Sequence, residues 1–180
     1  MRPDGGRDDG ELRRLLILRH AESQSMARSD AARSLTARGI ADAESVGTWL
    51  AATGHRPDRV YVSSAARTRQ TWAAVSQAAQ WGTDIEAEFL DALYDGGPAT
   101  ALEVIRNAPD DVGTVLVVGH NPTVAALAFG IDDGEGDPNA ARARDAGMAP
   151  ATLVVIETTA PWAEVDEASG RVVASFRGQS

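Results

Sequence analysis

Several residue types are missing from the sequence, and each absence excludes a class of function. Cysteine does not occur, which excludes disulfides, thiolate nucleophiles and cysteine-based zinc sites. Histidine occurs only as His20, His55 and His120, too few for a large histidine metal cluster. Lysine is absent as well, so the 17 basic residues are all arginine and are outnumbered by 26 acidic ones. The net charge of −9 argues against a nucleic acid or an anionic membrane as partner, because both attract clustered positive charge.

Long apolar runs are also absent, since no stretch approaches the roughly 20 residues of a membrane-spanning helix. Residues 1–11 are charged and glycine-rich, without the apolar stretch of a signal peptide, and we expect them to form a disordered tail. Residues 12–180 have the length of one ordinary domain. We therefore expect a single soluble domain in the cytoplasm.

Short apolar runs alternate with stretches of helical periodicity. The runs at 15–18, 60–62, 85–89, 114–118, 153–156 and 172–176 predict strands, and helices are predicted over 35–50, 63–80, 99–107 and from residue 122. In this pattern Ser63 and Ser64 act as N-caps. This alternation predicts an α/β three-layer sandwich, with a mostly parallel central sheet, helices on both faces and an antiparallel last pair of strands. Residues 132–147 lack apolar periodicity and are expected to be a solvated surface loop.

Arginine and histidine side chains follow the predicted strands. Arg19 and His20 come directly after the first strand, Arg67 lies in the first turn of the next predicted helix, and His120 follows the strand at 114–118. Ligands of open α/β sheets bind beyond the carboxyl ends of the strands. Arginine and helix N-termini bind phosphate oxygens there, so this combination predicts a phosphoryl-binding site.

A neutral imidazole in such a site can accept a phosphoryl group and release it to water. Arginine charges would stabilise the three equatorial oxygens during both transfers. The arginines thus do the work that a metal ion does elsewhere, and we expect neither a metal nor a cofactor.

Five segments resemble motifs of the histidine phosphatase superfamily and follow its order. Residues 18–23 (LRHAES) resemble its RHG signature, with the alanine variant of the SixA-type branch. The others are 35–39 (LTARG, like LTxxG), 63–71 (SSAARTRQT, like SPxxRAxQT), 118–122 (VGHNP) and 149–153 (APATL, like the PTGAL stretch). Ser64 replaces a proline of the pattern, and Ala151 with Thr152 departs from its Thr-Gly, but neither change removes a catalytic group.

The resemblance implies a phosphoglycerate mutase-like fold and specific roles. His20 would be the nucleophile that accepts the phosphoryl group. Arg19, Arg67 and His120 would bind that group and stabilise its transition state. Ser23 is a secondary candidate for lining the phosphate pocket.

The proton donor is the weakest element of the pattern. Larger members of the superfamily use a carboxylate before a Tyr-Gly pair, and the resemblance makes Asp91 the candidate here, with Glu88 behind it. The segment from Arg67 to His120 is too short for a large helical cap, so the site should be shallow. An imidazole leaving group is far less basic than an alkoxide and needs little acid assistance.

These features favour a metal-independent phosphohistidine phosphatase that acts on a phosphorylated protein, such as a phosphotransfer domain in a signalling relay. A broad small-molecule phosphomonoesterase on the same scaffold is the first alternative. A phosphate-binding module without turnover is the second. A mutase fits least, because it must retain its phosphoryl group under a closed cap.

Overall fold

The computed structural model describes residues 10–179, so most of the predicted tail lies outside the described residues. The strands are β1 (Arg13–Arg19), β2 (Arg59–Ser63), β3 (Ala87–Leu90), β4 (Thr114–Gly119), β5 (Thr152–Thr158) and β6 (Arg171–Arg177). The helices are α1 (Ala37–Thr53), α2 (Ala66–Ala78), the single turn α3 (Ala92–Asp95), α4 (Pro98–Arg106), α5 (Thr123–Ile131) and α6 (Pro138–Asp145). A 3₁₀ turn covers Trp162–Glu164. None of the described helices has the length and apolar character needed to cross a membrane.

The six strands form one sheet in the order β3-β2-β4-β1-β5-β6. The first four in this order run parallel, and β5 runs antiparallel to both β1 and β6, which confirms the predicted last pair. Parallel strands end at the same edge of a sheet. The segments that follow β1, β2, β3 and β4 therefore meet at one edge.

Both faces of the sheet are covered, which explains the continuous apolar run of β1. Leu15 and Ile17 point to the face that carries α4 and α5, whereas Leu16 and Leu18 point to the face that carries α1 and α2. Strands buried on both faces need apolar residues at every position. The predicted three-layer α/β sandwich is confirmed.

The predicted surface loop at 132–147 is wrong, because it contains helix α6. Pro138 occupies its first turn, and the Asp137 carboxylate caps it by accepting hydrogen bonds from the backbone N–H groups of residues 139 and 140. The Asp132 side chain is buried, pairs with Arg144 and accepts the Val172 N–H at 3.0 Å. An eight-residue helix with one buried residue has no periodicity to detect in the sequence.

Candidate active site

The two imidazoles lie side by side at the carboxyl edge of the sheet. His20 follows β1, and its backbone N–H donates to the Gly119 carbonyl of the neighbouring β4 at 3.0 Å. His120 follows β4, so adjacent parallel strands deliver both rings to one place. Their ring centroids are 5.2 Å apart, and the planes are tilted by 58°.

His20 is held in one tautomer. Its Nδ1 lies 2.7 Å from the Ala21 carbonyl oxygen, which can only accept, so Nδ1 carries the proton. Nε2 of the neutral ring then has its lone pair available. Burial lowers the pKa of His20 to about 4, and the charges of Arg67 and Arg19 add to this against the Ala21 hydrogen bond. The ring is therefore neutral at pH 7.

His120 is positioned by Ser63, which the sequence predicted to be a helix N-cap. Its Nε2 lies 2.6 Å from Oγ of Ser63, the last residue of β2. The predicted capping role of Ser63 and Ser64 is wrong, because the N-cap of α2 is Ala65, which makes no side-chain cap. Nδ1 of His120 is buried and has no hydrogen-bond partner in the described part of the chain. Burial lowers the pKa of His120 to about 3, with Arg67 contributing next.

Two guanidinium groups lie at this edge, that of Arg67 buried and that of Arg19 half-buried. Arg67 is 6% exposed and donates to the Asp30 carbonyl at 2.9 Å and to Asp30 Oδ2 at 3.1 Å. Arg19 donates to the Met148 carbonyl at 3.0 Å, and burial lowers its pKa. Among the residues that the structure describes, neither Arg19 Nε nor Arg67 Nε has a partner, although both are buried. An anion would reach either Nε only after displacing the atoms that cover it, but the positive charges of both arginines act on the site, where they lower the pKa of His20.

Asp30 and Tyr94 belong to the same cluster and were not predicted. The Tyr94 hydroxyl donates to Asp30 Oδ2 at 2.9 Å, and Arg33 Nε lies 3.2 Å from Oδ1. The Tyr94 ring meets His120 edge-on, with centroids 5.8 Å apart. The Tyr94 hydrogen bond and the Arg67 charge lower the pKa of Asp30, so this carboxyl is ionised at pH 7. Asp30 lies in an irregular loop whose sequence carries no pattern that could have identified it.

The remaining motif residues hold the loop that carries Asp30. Thr71 and Gln70 of α2 accept hydrogen bonds from backbone N–H groups of that loop, at residues 21 and 35. Gly39 of α1 packs directly on the loop, since a Cβ atom there would lie 2.1 Å from the Glu22 carbonyl oxygen. These contacts explain why small and hydrogen-bonding residues occur at these motif positions.

The other predicted residues lie near this edge or elsewhere in the fold. Asp91 follows β3, which is three strands from β1, or about 14 Å along the sheet. Its carboxylate accepts a hydrogen bond from Ser64. Ser23 forms an isolated bridge with Leu35 at the base of the loop, and Glu88 lies within β3. The catalytic roles of Asp91, Glu88 and Ser23 stay predictions.

The chemistry available at this edge is that of an anion-binding nucleophilic site. A neutral imidazole with a free Nε2 lies among arginine N–H donors and a second neutral imidazole. Within the described residues, no group of three or more His, Asp or Glu side chains is arranged to hold a metal ion. The positive charges of this cluster are the guanidinium groups of Arg19, Arg33 and Arg67.

Known proteins resemble this chain in sequence and in structure. The family model of the histidine phosphatase superfamily (branch 1) matches residues 15–96. An uncharacterized protein of Mycobacterium tuberculosis is 35% identical over 160 residues, which cover 87% of this chain and 96% of the relative. The phosphohistidine phosphatase SixA of Escherichia coli is 30% identical over 126 residues, covering 69% and 77% respectively. A solved structure from Nakamurella multipartitia, provisionally designated phosphohistidine phosphatase SixA, has 35% identity and a TM-score of 0.78, covering 96% of this chain and 100% of that one.

Proposed function

Since this chain belongs to the histidine phosphatase superfamily, in its SixA-type branch, and is a phosphatase, we propose that it hydrolyses protein phosphohistidine through a phosphoryl group carried on His20. The observation that carries this proposal is the hydrogen bond from His20 Nδ1 to the Ala21 carbonyl. It leaves the opposite nitrogen unprotonated, beside two arginines with unused donors. The substrate would be a phosphotransfer domain of a signalling relay.

In the first step the lone pair of His20 Nε2 attacks phosphorus. The P–N bond of the substrate breaks, and its electron pair stays on the departing imidazole nitrogen. The new P–Nε2 bond leaves His20 as a phosphorylated imidazolium whose Nδ1–H still donates to Ala21. The positive charges of Arg19 and Arg67, which act on His20, would stabilise the equatorial oxygens as negative charge spreads over them.

In the second step a water oxygen attacks the same phosphorus. The P–Nε2 bond breaks, its electron pair returns to His20, and the proton of the water goes to phosphate or solvent. If the Ser63 hydroxyl donates to Nε2 of His120, Nδ1 of that ring carries a proton. This nitrogen is buried in the unliganded protein, and on the proposed route it donates to a phosphoryl oxygen once substrate displaces the atoms that cover it. His120 is then a hydrogen-bond donor in both steps, without changing its charge.

The surroundings of the cluster favour a protein substrate. Between α2 and β4 the chain forms only a short strand, a single turn and a nine-residue helix, so no large cap is inserted there. A shallow site at the sheet edge is accessible to a side chain on another protein. The carboxylate expected to act as acid, Asp91, is bonded to Ser64, and a P–N bond needs little acid assistance.

The proposal is tested by phosphate release from a histidine-phosphorylated phosphotransfer domain in the presence of a chelator. Wild type should release phosphate rapidly, and His20→Ala should lose that release. His55→Ala is the matched control, because His55 stacks on Trp49 in the turn between α1 and β2, at the other edge of the sheet.

Each alternative outcome contradicts a different part. Turnover of an aryl phosphate without turnover of phosphohistidine would move the substrate to small phosphomonoesters and keep the mechanism. Phosphate binding without turnover of either compound would favour a non-catalytic module. Loss of activity in chelator, restored by a divalent metal, would contradict the arginine-based mechanism.

A further inference from the structure

The carboxylate of Asp30 is an unexpected component of a site that binds anions. It contacts Arg67 at 3.1 Å, Arg33 at 3.2 Å and the Tyr94 hydroxyl at 2.9 Å. A negative charge beside a phosphoryl pocket repels an anionic substrate, so its presence there requires a physical explanation. Its side chain is 57% exposed, whereas Arg67 beneath it is 7% exposed.

This exposure places Asp30 on the solvent side of the phosphate-binding arginine. A leaving group must lie opposite the attacking nitrogen of His20, because phosphoryl transfer is in line. His20 is buried at the sheet edge, so the leaving group extends toward solvent, past the side on which Asp30 stands. Asp30 is the exposed carboxylate of the cluster on that side, with the partly exposed Arg33 beside it.

An ionised Asp30 cannot donate a proton to an alkoxide or a phenolate, and it repels their developing negative charge. The hydrogen bonds from Tyr94 and Arg67, together with the positive charge of Arg33, hold it in the ionised form. A phosphorylated imidazole offers the opposite charge, because its second nitrogen can carry a proton. That N–H can donate to the exposed lone pairs of the carboxylate.

We infer that Asp30 determines specificity by favouring phosphoryl groups carried on a protonated imidazole over phosphate esters. This inference rests on the proposed phosphohistidine phosphatase activity. When the P–N bond breaks, the electron pair stays on the leaving nitrogen and the proton remains on the other nitrogen. The product leaves as neutral imidazole, and no proton passes through Asp30.

The test compares Asp30→Asn with wild type on two substrates, free phosphohistidine and para-nitrophenyl phosphate. At pH 6.5 the variant should lose about tenfold or more in kcat/KM for phosphohistidine, the usual effect of losing a charged hydrogen bond. Any loss that follows from the Asp30–Arg67 contact is shared by both substrates, so the ratio of kcat/KM for phosphohistidine to kcat/KM for the aryl phosphate is the quantity that should fall about tenfold. Asp30→Glu should restore part of the preference. Asp84→Asn is the matched control, since this exposed carboxylate pairs with Arg56 ahead of β3, at the opposite edge.

A pH series separates this role from a structural one. The imidazole of the substrate loses its proton above about pH 6.5, so the wild-type preference for phosphohistidine should fall between about pH 6 and pH 8.5. The side chains that face Asp30 are Arg33, Arg67 and Tyr94. The hydrogen bond to Asp30 raises the pKa of Tyr94, and both active-site histidines stay neutral over this range. This series needs no variant, so it holds even if Asp30→Asn fails to fold.

The outcomes distinguish the inference from the proposed function. Equal losses on both substrates would reduce Asp30 to a positioning residue for Arg67 and overturn the inference. A preference that does not change with pH would overturn it as well. Absence of turnover of a histidine-phosphorylated phosphotransfer domain by wild type, with the aryl phosphate still hydrolysed, would contradict the proposed function and the inference together.

Discussion

Replacing Ser63 by alanine should remove the hydrogen bond that orients the His120 ring while keeping the His120 side chain. Ser63 is fully buried, and its Oγ lies 2.6 Å from His120 Nε2. Nδ1 of the same ring already lacks a partner in the described structure, so the variant leaves both ring nitrogens without a hydrogen bond to protein. A buried polar group left unsatisfied costs about 1–3 kcal/mol of stability.

The catalytic effect follows from the proton on Nδ1. Without the Ser63 hydroxyl, the ring is no longer held in the tautomer that donates to the phosphoryl oxygen. One hydrogen bond to a charged oxygen is worth about 1.5–3 kcal/mol, so kcat/KM should fall roughly 10- to 150-fold. The loss should be similar for phosphohistidine and an aryl phosphate, because both transfer the same group.

The assay is steady-state phosphate release at pH 7, together with thermal unfolding of each variant. Ser76→Ala removes the same hydroxyl from the surface of α2 and should leave both properties unchanged. Ser63→Ala that loses stability but keeps kcat/KM within about twofold of wild type would refute the assignment of His120 as a donor oriented by Ser63.

Three further predictions concern stability. Gly39→Ala should lower the free energy of unfolding by about 1–3 kcal/mol and lower activity, because its Cβ would lie 2.1 Å from a carbonyl oxygen of the Asp30 loop. Gly130→Ala in α5 is the control: its Cβ meets nothing within 4 Å, so it should stabilise the protein by about 0.5–1 kcal/mol. Urea unfolding of both variants measures the difference. Asp132→Ala should cost about 1–3 kcal/mol in chemical denaturation, because two backbone N–H groups lose their acceptor and Arg144 keeps only Asp145 as an ion-pair partner among the described residues. Activity at 25 °C should persist. His20 binds a proton below about pH 6.5 in the unfolded state but only near pH 4 in the folded state. Between pH 7 and pH 5, the free energy of unfolding should therefore fall by about 2 kcal/mol more in wild type than in His20→Gln. Equal slopes of stability against pH in the two proteins would contradict this.

The sequence predicted those site residues that lie at the ends of strongly apolar strands. The strands β1 and β4 are identified by their continuous apolar runs, Leu15 to Leu18 and Val115 to Val118. The residues that follow these runs are therefore predicted to lie at an edge of the sheet. That His20 and His120 touch depends on β1 and β4 being neighbours, which is a property of strand order and cannot be obtained from either strand alone.

The site features that the sequence did not predict depend on competition between two local structures or on contacts between residues distant in the sequence. Ser63 has the composition of a helix cap, but it completes the β2 ladder, and its side chain turns to His120 instead. Asp30 reaches Arg67 because the Ala31 carbonyl accepts the Ala66 N–H at the start of α2, a contact between residues that share no periodic pattern. Neither signal exists before the chain is folded.

On the proposed route, the covalent intermediate has the same chemistry as the substrate. The phosphoryl group moves from one imidazole to another, so the bond formed is as strong as the bond broken. Each ring carries a proton on its far nitrogen, which donates to the Ala21 carbonyl on the enzyme side and to Asp30 on the substrate side. The transfer is then close to thermoneutral, and the arginines need only stabilise the charge on the moving group. Alkyl esters lack this symmetry, because their leaving oxygen needs a proton and the ionised Asp30 cannot supply one.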